Sequence, residues 1–158
     1  MEVDHTKFEK TKAEAEETYK KIGEVYCPYF KELVSFNAKG LDHIKFYEFG
    51  KARPMLDQYI RLRLLSLAPK VITDSHTLQE SYETHRLERQ KINSRWEQRM
   101  ITVKYYGFVA VISKVRIKIV VKEVVGGKKF FWSIIPFWKP RRGPNNKKGL
   151  HEGDLEHQ

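Results

Sequence analysis

Lys114 to Pro136 reads KVRIKIVVKEVVGGKKFFWSIIP, and this stretch decides the fold. Val115, Ile117, Ile119 and Val121 alternate with Lys114, Arg116, Lys118 and Lys122, the period of two expected of a strand with one dry and one wet face. Gly126-Gly127 tolerates the positive φ angles of a tight hairpin turn. With those glycines as the central pair, Val125 faces Lys128, and counting outward pairs Val121 with Trp132, Val120 with Ser133 and Ile119 with Ile134. Neighbours on one strand alternate faces, so this register puts Trp132 and Ile134 on the apolar face. Ser133 falls on the other face, diagonal to Lys118 and Lys122, where a hydroxyl among ammonium groups would receive an anion. A slip of one residue would reverse that assignment.

Working outward, the 158 residues fit a single domain large enough to bury a core. The N-terminus, MEVDHTKFEK, has no apolar signal core, no run is long enough for a membrane helix, and one cysteine, Cys27, excludes an internal disulfide. The expectation is a cytoplasmic protein. The net charge is +10, yet residues 1–24 hold five Lys against seven Asp or Glu, so the rest of the chain carries +12. Such a basic body suits polyanionic partners, RNA above all, and equally suits plain solubility.

Asp4 to Val25 has a narrow apolar stripe (Phe8, Ala15, Tyr19, Ile22) and predicts a helix, either a loosely docked arm or a partner-binding element. Leu33 to Phe36 predicts a short strand, Asn37 to Gly40 a turn, and Pro54 to Leu67 a second helix ended by Ala68-Pro69. Thr84 to Ile92 predicts a charged edge strand. Arg99 to Tyr106 and Phe108 to Ile112 predict two more, interrupted by Gly107. Helices first and strands later give an α+β fold with an antiparallel sheet of about four to five strands. The organisation expected is an N-terminal helix (1–25), a folded body (26–138) and a disordered polar tail (139–158).

No glycine-rich phosphate loop precedes a helix, neither H-E-x-x-H nor G-x-S-x-G occurs, and the acidic residues are scattered instead of clustered for two metals. No cofactor is implied. Among six histidines, His43 stands out, set between Leu41 and Ile44 and next to Lys45. Imidazole so placed can accept a proton near neutrality; it can equally be a core or helix-capping residue. Trp138 and the Arg95-Trp96 pair are candidates for stacking bases.

Two motifs, Gly40-Leu41-Asp42-His43-Ile44 and Phe131-Trp132-Ser133-Ile134-Ile135-Pro136, bracket Arg53 and Asp57-Gln58-Tyr59-Ile60-Arg61. In that order, over roughly residues 32 to 138, the chain resembles the barnase/EndoU/colicin/RelE-like (BECR) nucleases, in particular their phage-associated barnase-like domains. The resemblance implies helices packed on a curved antiparallel sheet and a metal-independent ribonuclease. In such enzymes the ribose 2′-OH attacks the adjacent phosphate and leaves a 2′,3′-cyclic end. It assigns His43 as acid/base, Ser133 as the phosphate-binding hydroxyl, and Lys45, Arg53 and Arg61 as charge stabilisers. Arg116, Lys118, Lys122, Lys129 and Trp138 would hold the nucleic acid. A toxin-like or mobile-element role, with an immunity or antitoxin partner, goes with this reading. The alternative is a basic nucleic-acid-binding module without chemistry, because no acidic partner or second histidine for two-step proton transfer is evident.

Overall fold

The computed structural model describes residues 3–47 and 50–136. Helix α1 (His5–Lys20) starts at Asp4, whose carboxylate accepts from the Lys7 amide at 2.8 Å, and the chain leaves it through Gly23 at φ +68°. Strands β1 (Glu24–Cys27) and β2 (Glu32–Ser35) form a short hairpin. Helix α2 (Ala38–Lys45) follows, then α3 (Met55–Leu64), a 3-10 turn (Leu65–Leu67) and α4 (Ala68–Asp74). The long strands β3 (Glu80–Ile92), β4 (Arg95–Ile112), β5 (Val115–Val124) and β6 (Lys129–Pro136) are the remaining described elements.

The fold is α+β, as the sequence predicts, but the sheet has six strands in the order β1-β2-β6-β5-β4-β3 and is mixed. The departure lies in β2, which runs parallel to β6 through one bridge, Ser35 to Phe130, while every other neighbouring pair is antiparallel. Tyr26 and Cys27 end β1, and Pro28 starts the turn into β2. Asn37 caps α2, its side chain accepting from the Gly40 amide at 3.2 Å. Asparagine suits turns and helix caps alike, which is why the predicted turn is a helix start. Pro69 lies in the first turn of α4, where its missing N–H costs nothing, so it begins a helix where the sequence suggested an end.

Gly107 does not interrupt β4. An added Cβ would sit 3.1 Å from the Glu80 Cβ and 3.4 Å from the Lys118 Cδ, so the glycine leaves room for these two side chains to cross. They meet as an ion pair of 3.0 Å, with the Lys118 side chain fully buried.

The opening hairpin keeps half of its predicted register. Val120 pairs with Ser133 and Ile119 with Ile134, but Val121 pairs with Phe131, because a bulge absorbs Trp132. The loop is longer than a two-residue turn: Glu123 and Lys129 are the last pair, and the Gly127 amide bonds the Val124 carbonyl at 2.8 Å. A bulge inserts one residue and re-aims the side chains beside it. Trp132 therefore leaves the face of Ile134 and joins Val103, Tyr105, Val120, Phe130 and Ile135 in a second apolar cluster. The first cluster, with Ile117, Ile119, Val121, Phe131 and Ile134, takes up all four helices. Phe8 and Tyr19 are buried in it, so α1 is part of the core and not a loosely docked arm.

Beyond its single bridge to β2, β6 is flanked by α2 and α3. Gly40 lets α2 come this close, since an added Cβ would collide with the Phe131 carbonyl oxygen and meet the Tyr19 hydroxyl at 2.8 Å. Gly40→Ala is expected to lower stability by about 1–3 kcal/mol, because α2 must back away from β6. Urea unfolding measures this, and a midpoint equal to wild type would contradict the packing.

Candidate active site

The approach of α2 and α3 to β6 brings together residues far apart in the chain. The His43 imidazole on α2 stacks on the Trp132 indole with centroids 4.1 Å apart and planes at 17°. The Lys122 ammonium on β5 lies 4.0 Å from the centre of the same indole. Arg53, in the segment entering α3, donates from Nε to the His43 carbonyl at 2.9 Å, and its Nη2 lies 3.1 Å from His43 Nε2. A guanidinium has only donors, so that ring nitrogen is the acceptor and holds its lone pair toward Arg53.

Asp57, one turn before Arg61 on α3, joins the two arginines. Its carboxylate lies 3.6 Å from Arg53 Nη1 and accepts from Arg61 Nε at 2.7 Å. The spacing of four residues puts Asp57 and Arg61 on one helical face. Arg61 in turn donates from Nη1 to the Ser133 hydroxyl at 2.8 Å and to the Ile134 carbonyl at 3.2 Å. A chain of polar contacts thus runs from His43 through Arg53, Asp57 and Arg61 to Ser133. Its arginines and hydroxyl are almost dry, Arg53 3% exposed, Arg61 7% and Ser133 0%, whereas the Asp57 side chain between them is 31% exposed. Burial, and secondarily the Arg61 charge, push the Arg53 pKa down to about 10 against the pull of Asp57. Arg53 remains a cation at neutral pH.

In front of this chain lies an open cleft of about 490 Å³ whose lining includes His43, Trp132, Lys122, Arg86, Lys39 and Tyr47. The Tyr47 ring also lies against the Arg53 guanidinium, 4.5 Å from ring centre to carbon. Cations and aromatic faces on one wall suit a phosphate beside a base. Among the described residues, no three His, Cys, Asp or Glu side chains are grouped to hold a metal ion, and no helix is long and apolar enough to cross a membrane.

No family model, curated protein or solved structure matches the chain.

Of the residues singled out in the sequence, His43, Arg53, Arg61 and Ser133 are brought together, with Lys122 at the cleft. Lys45 is not. Two positions from His43 on the same helix, it points to α1 and bonds Glu16 at 2.9 Å. Lys118 is buried against Glu80. Arg116 is exposed on the far half of β5, six residues from Lys122 and so about 20 Å along the strand. Lys129 is held by Glu32 at 3.0 Å and Glu123 at 3.3 Å. Burial works against its charge, but those two carboxylates outweigh burial and raise its pKa. Trp138 and the tail lie outside the described residues. The expected floor of open lysines beside Ser133 is thus absent: Ser133 is sealed beneath Arg61, and the bulge brings Trp132 to the cleft in its place. Asp57 and Arg86 carried no assigned role; the Asp57-x-x-x-Arg61 spacing was the available signal for the first.

Buried protic groups give the fold a pH limit. Burial raises the Cys27 thiol pKa above its usual 9, and burial with nearby carboxylates raises the Tyr19 and Tyr106 phenol pKa values above their usual 10. These groups stay neutral in the fold while the unfolded chain ionises, so stability is lost as pH rises through their unfolded values. Lys129, with a raised pKa, loses its contribution still higher. Arg53, lowered to about 10, acts in the opposite sense above that pH. The urea midpoint is expected to be insensitive to these groups between pH 7 and about 9 and to fall above it; a midpoint rising from pH 9 to 10 would contradict the burial.

Proposed function

We propose that this domain is a metal-independent endoribonuclease that acts on RNA in the cytoplasm, with a variant of the BECR nuclease fold. The observation that supports the reading is the single polar chain from His43 to Ser133, assembled from three distant parts of the sequence and backing a cationic, aromatic cleft. In the reaction, the ribose 2′-oxygen attacks phosphorus and gives up its proton, the P–O5′ bond breaks, and the 5′-oxygen takes a proton. The products are a 2′,3′-cyclic phosphate and a 5′-hydroxyl. His43 lines the cleft beside Asp42 and carries the proton transfer. Lys122 and Arg86 offset the phosphorane charge from the cleft, and Arg53 and Arg61 add positive potential from behind. Ser133 holds Arg61 in place. A toxin-like role, with an immunity protein covering the cleft, belongs to the same reading.

The second reading is an RNA-binding module without chemistry. It is favoured by one feature: the His43 Nε2 lone pair is already engaged by Arg53. Incubating the purified chain with single-stranded RNA in EDTA separates the two. Cyclic phosphate ends support the nuclease. Salt-sensitive binding with RNA that stays intact, or cleavage only with added magnesium, overturns it.

A further inference from the structure

The β3–β4 hairpin reaches well beyond the sheet. Strand β5 leaves β4 at the Val103–Val124 pair, whereas β3 and β4 stay paired from His85–Thr102 out to Ile92–Arg95. That is roughly 25 Å of two-stranded ribbon with no third strand among the described residues. It closes on Asn93 and Ser94 at φ +48° and +65°, a two-residue turn whose twist matches the strands. A ribbon of two strands is marginal in water without something packed on it. This one exposes Leu87 (62%), Trp96 (60%) and Met100 (64%) on one face, where Leu87 pairs with Met100 and Lys91 with Trp96.

The ribbon is also basic. Arg86, Arg89, Lys91, Arg95 and Arg99 stand against Glu88 and Glu97. The Arg89 guanidinium lies 5.2 Å from the centre of the Trp96 ring. Arg89 and Lys91 share the face of Trp96, while Arg86, Arg95 and Arg99 lie on the other, and at the base of the ribbon Arg86 reaches the cleft wall. Cations spaced along a ribbon, with an exposed indole and a guanidinium plane among them, are the elements that hold single-stranded nucleic acid: phosphates on the cations and bases on the flat groups. A partner protein would use the apolar residues but leave five cations to be matched.

We propose that this arm is a second binding site for single-stranded RNA, which leaves the cleft past Arg86 and passes over the ribbon's edge to Arg89 and Trp96 on the opposite face. The ligand class rests on the reading of the cleft as an RNA site, whereas the arm itself does not depend on cleavage. The probe is a 2′-O-methyl single strand of about 20 nucleotides, which lacks the attacking hydroxyl, compared with one of about 3 nucleotides that fills the cleft alone. Binding to the full chain is read by fluorescence anisotropy over a range of salt.

Replacing Arg89 and Trp96 together by alanine is expected to weaken the long strand about tenfold and leave the short one unchanged. Trp96→Phe, which keeps a flat ring, should restore most of the affinity when Arg89 is intact. Changing Arg89, Arg95 and Arg99 to glutamine should reduce the salt slope by about 2. Long-strand affinity and slope equal to wild type overturn the proposal. So does an arm variant that leaves RNA binding unchanged but abolishes self-association, because the arm then serves a protein. Cleavage with arm-insensitive affinity removes the arm alone; arm-dependent binding without cleavage leaves the arm and removes the nuclease.

Discussion

His43→Gln is expected to slow RNA cleavage by about 10²–10⁴-fold, the range for removing a general acid or base, while binding of uncleavable RNA stays close to wild type. Glutamine is the sharper substitution because its amide oxygen can accept from Arg53 in place of Nε2, whereas it transfers no proton. His43→Ala takes away the stack on Trp132 as well, so it should cost about 1 kcal/mol of stability on top of the lost rate. Single-turnover cleavage of a defined oligonucleotide, with affinity measured in parallel, separates the two effects. A rate unchanged in His43→Gln would remove His43 from the chemistry. The pH profile gives an independent readout: whatever limb of the wild-type rate profile belongs to His43 should be lost in the variant.

The second large effect is on folding. Asp57→Ala is expected to destabilise the protein by about 3 kcal/mol, because it leaves two nearly dry guanidinium groups, Arg53 and Arg61, without the carboxylate between them. Removing one partner of a buried pair costs more than the pair contributes, since the remaining charges stay desolvated. Two cations then face each other, and the cheapest relief is for Arg61 to let go of Ser133 and the Ile134 carbonyl. Asp57→Asn, which keeps an acceptor but not the charge, should fall between. Urea unfolding of the three proteins tests the order. Equal midpoints for wild type and Asp57→Ala would mean that water, and not Asp57, carries the arginine charges.

The sequence made the α+β class legible, and it pointed to the residues that share the site. His43, Arg53, Arg61 and Ser133, all named by the order of motifs in the sequence, lie together in the fold. Period-two alternation in β5 and helical spacing in α3 are local signals, and local signals are what a single chain shows. The misses came where a local rule had two outcomes. Asn37 and Pro69 carry chemistry that either starts or ends a helix. Gly107 looks like a strand breaker, yet its space is used by Glu80 and Lys118 from neighbouring strands. Asn93-Ser94 is a weaker hairpin signal than Asn-Gly, so the longest ribbon in the fold was read as a lone edge strand. The bulge at Trp132 has no local signature at all. It depends on how β6 meets β5, and it decided which face the indole serves.

The single bridge between Ser35 and Phe130 has a consequence for how the protein comes to be made. It joins parts of the chain 95 residues apart, so the sheet closes only after a long search, the regime of slow, topology-limited folding. Translation delivers the N-terminal segments first. His43, Arg53 and Arg61 are therefore all synthesised before β6 exists to anchor them. Until Trp132 and Ser133 emerge, the arginines lack their seat and the imidazole lacks its stacking partner. A nascent chain on the ribosome, surrounded by RNA at high concentration, carries no assembled site. The activity proposed for this domain would switch on only as the last strand docks.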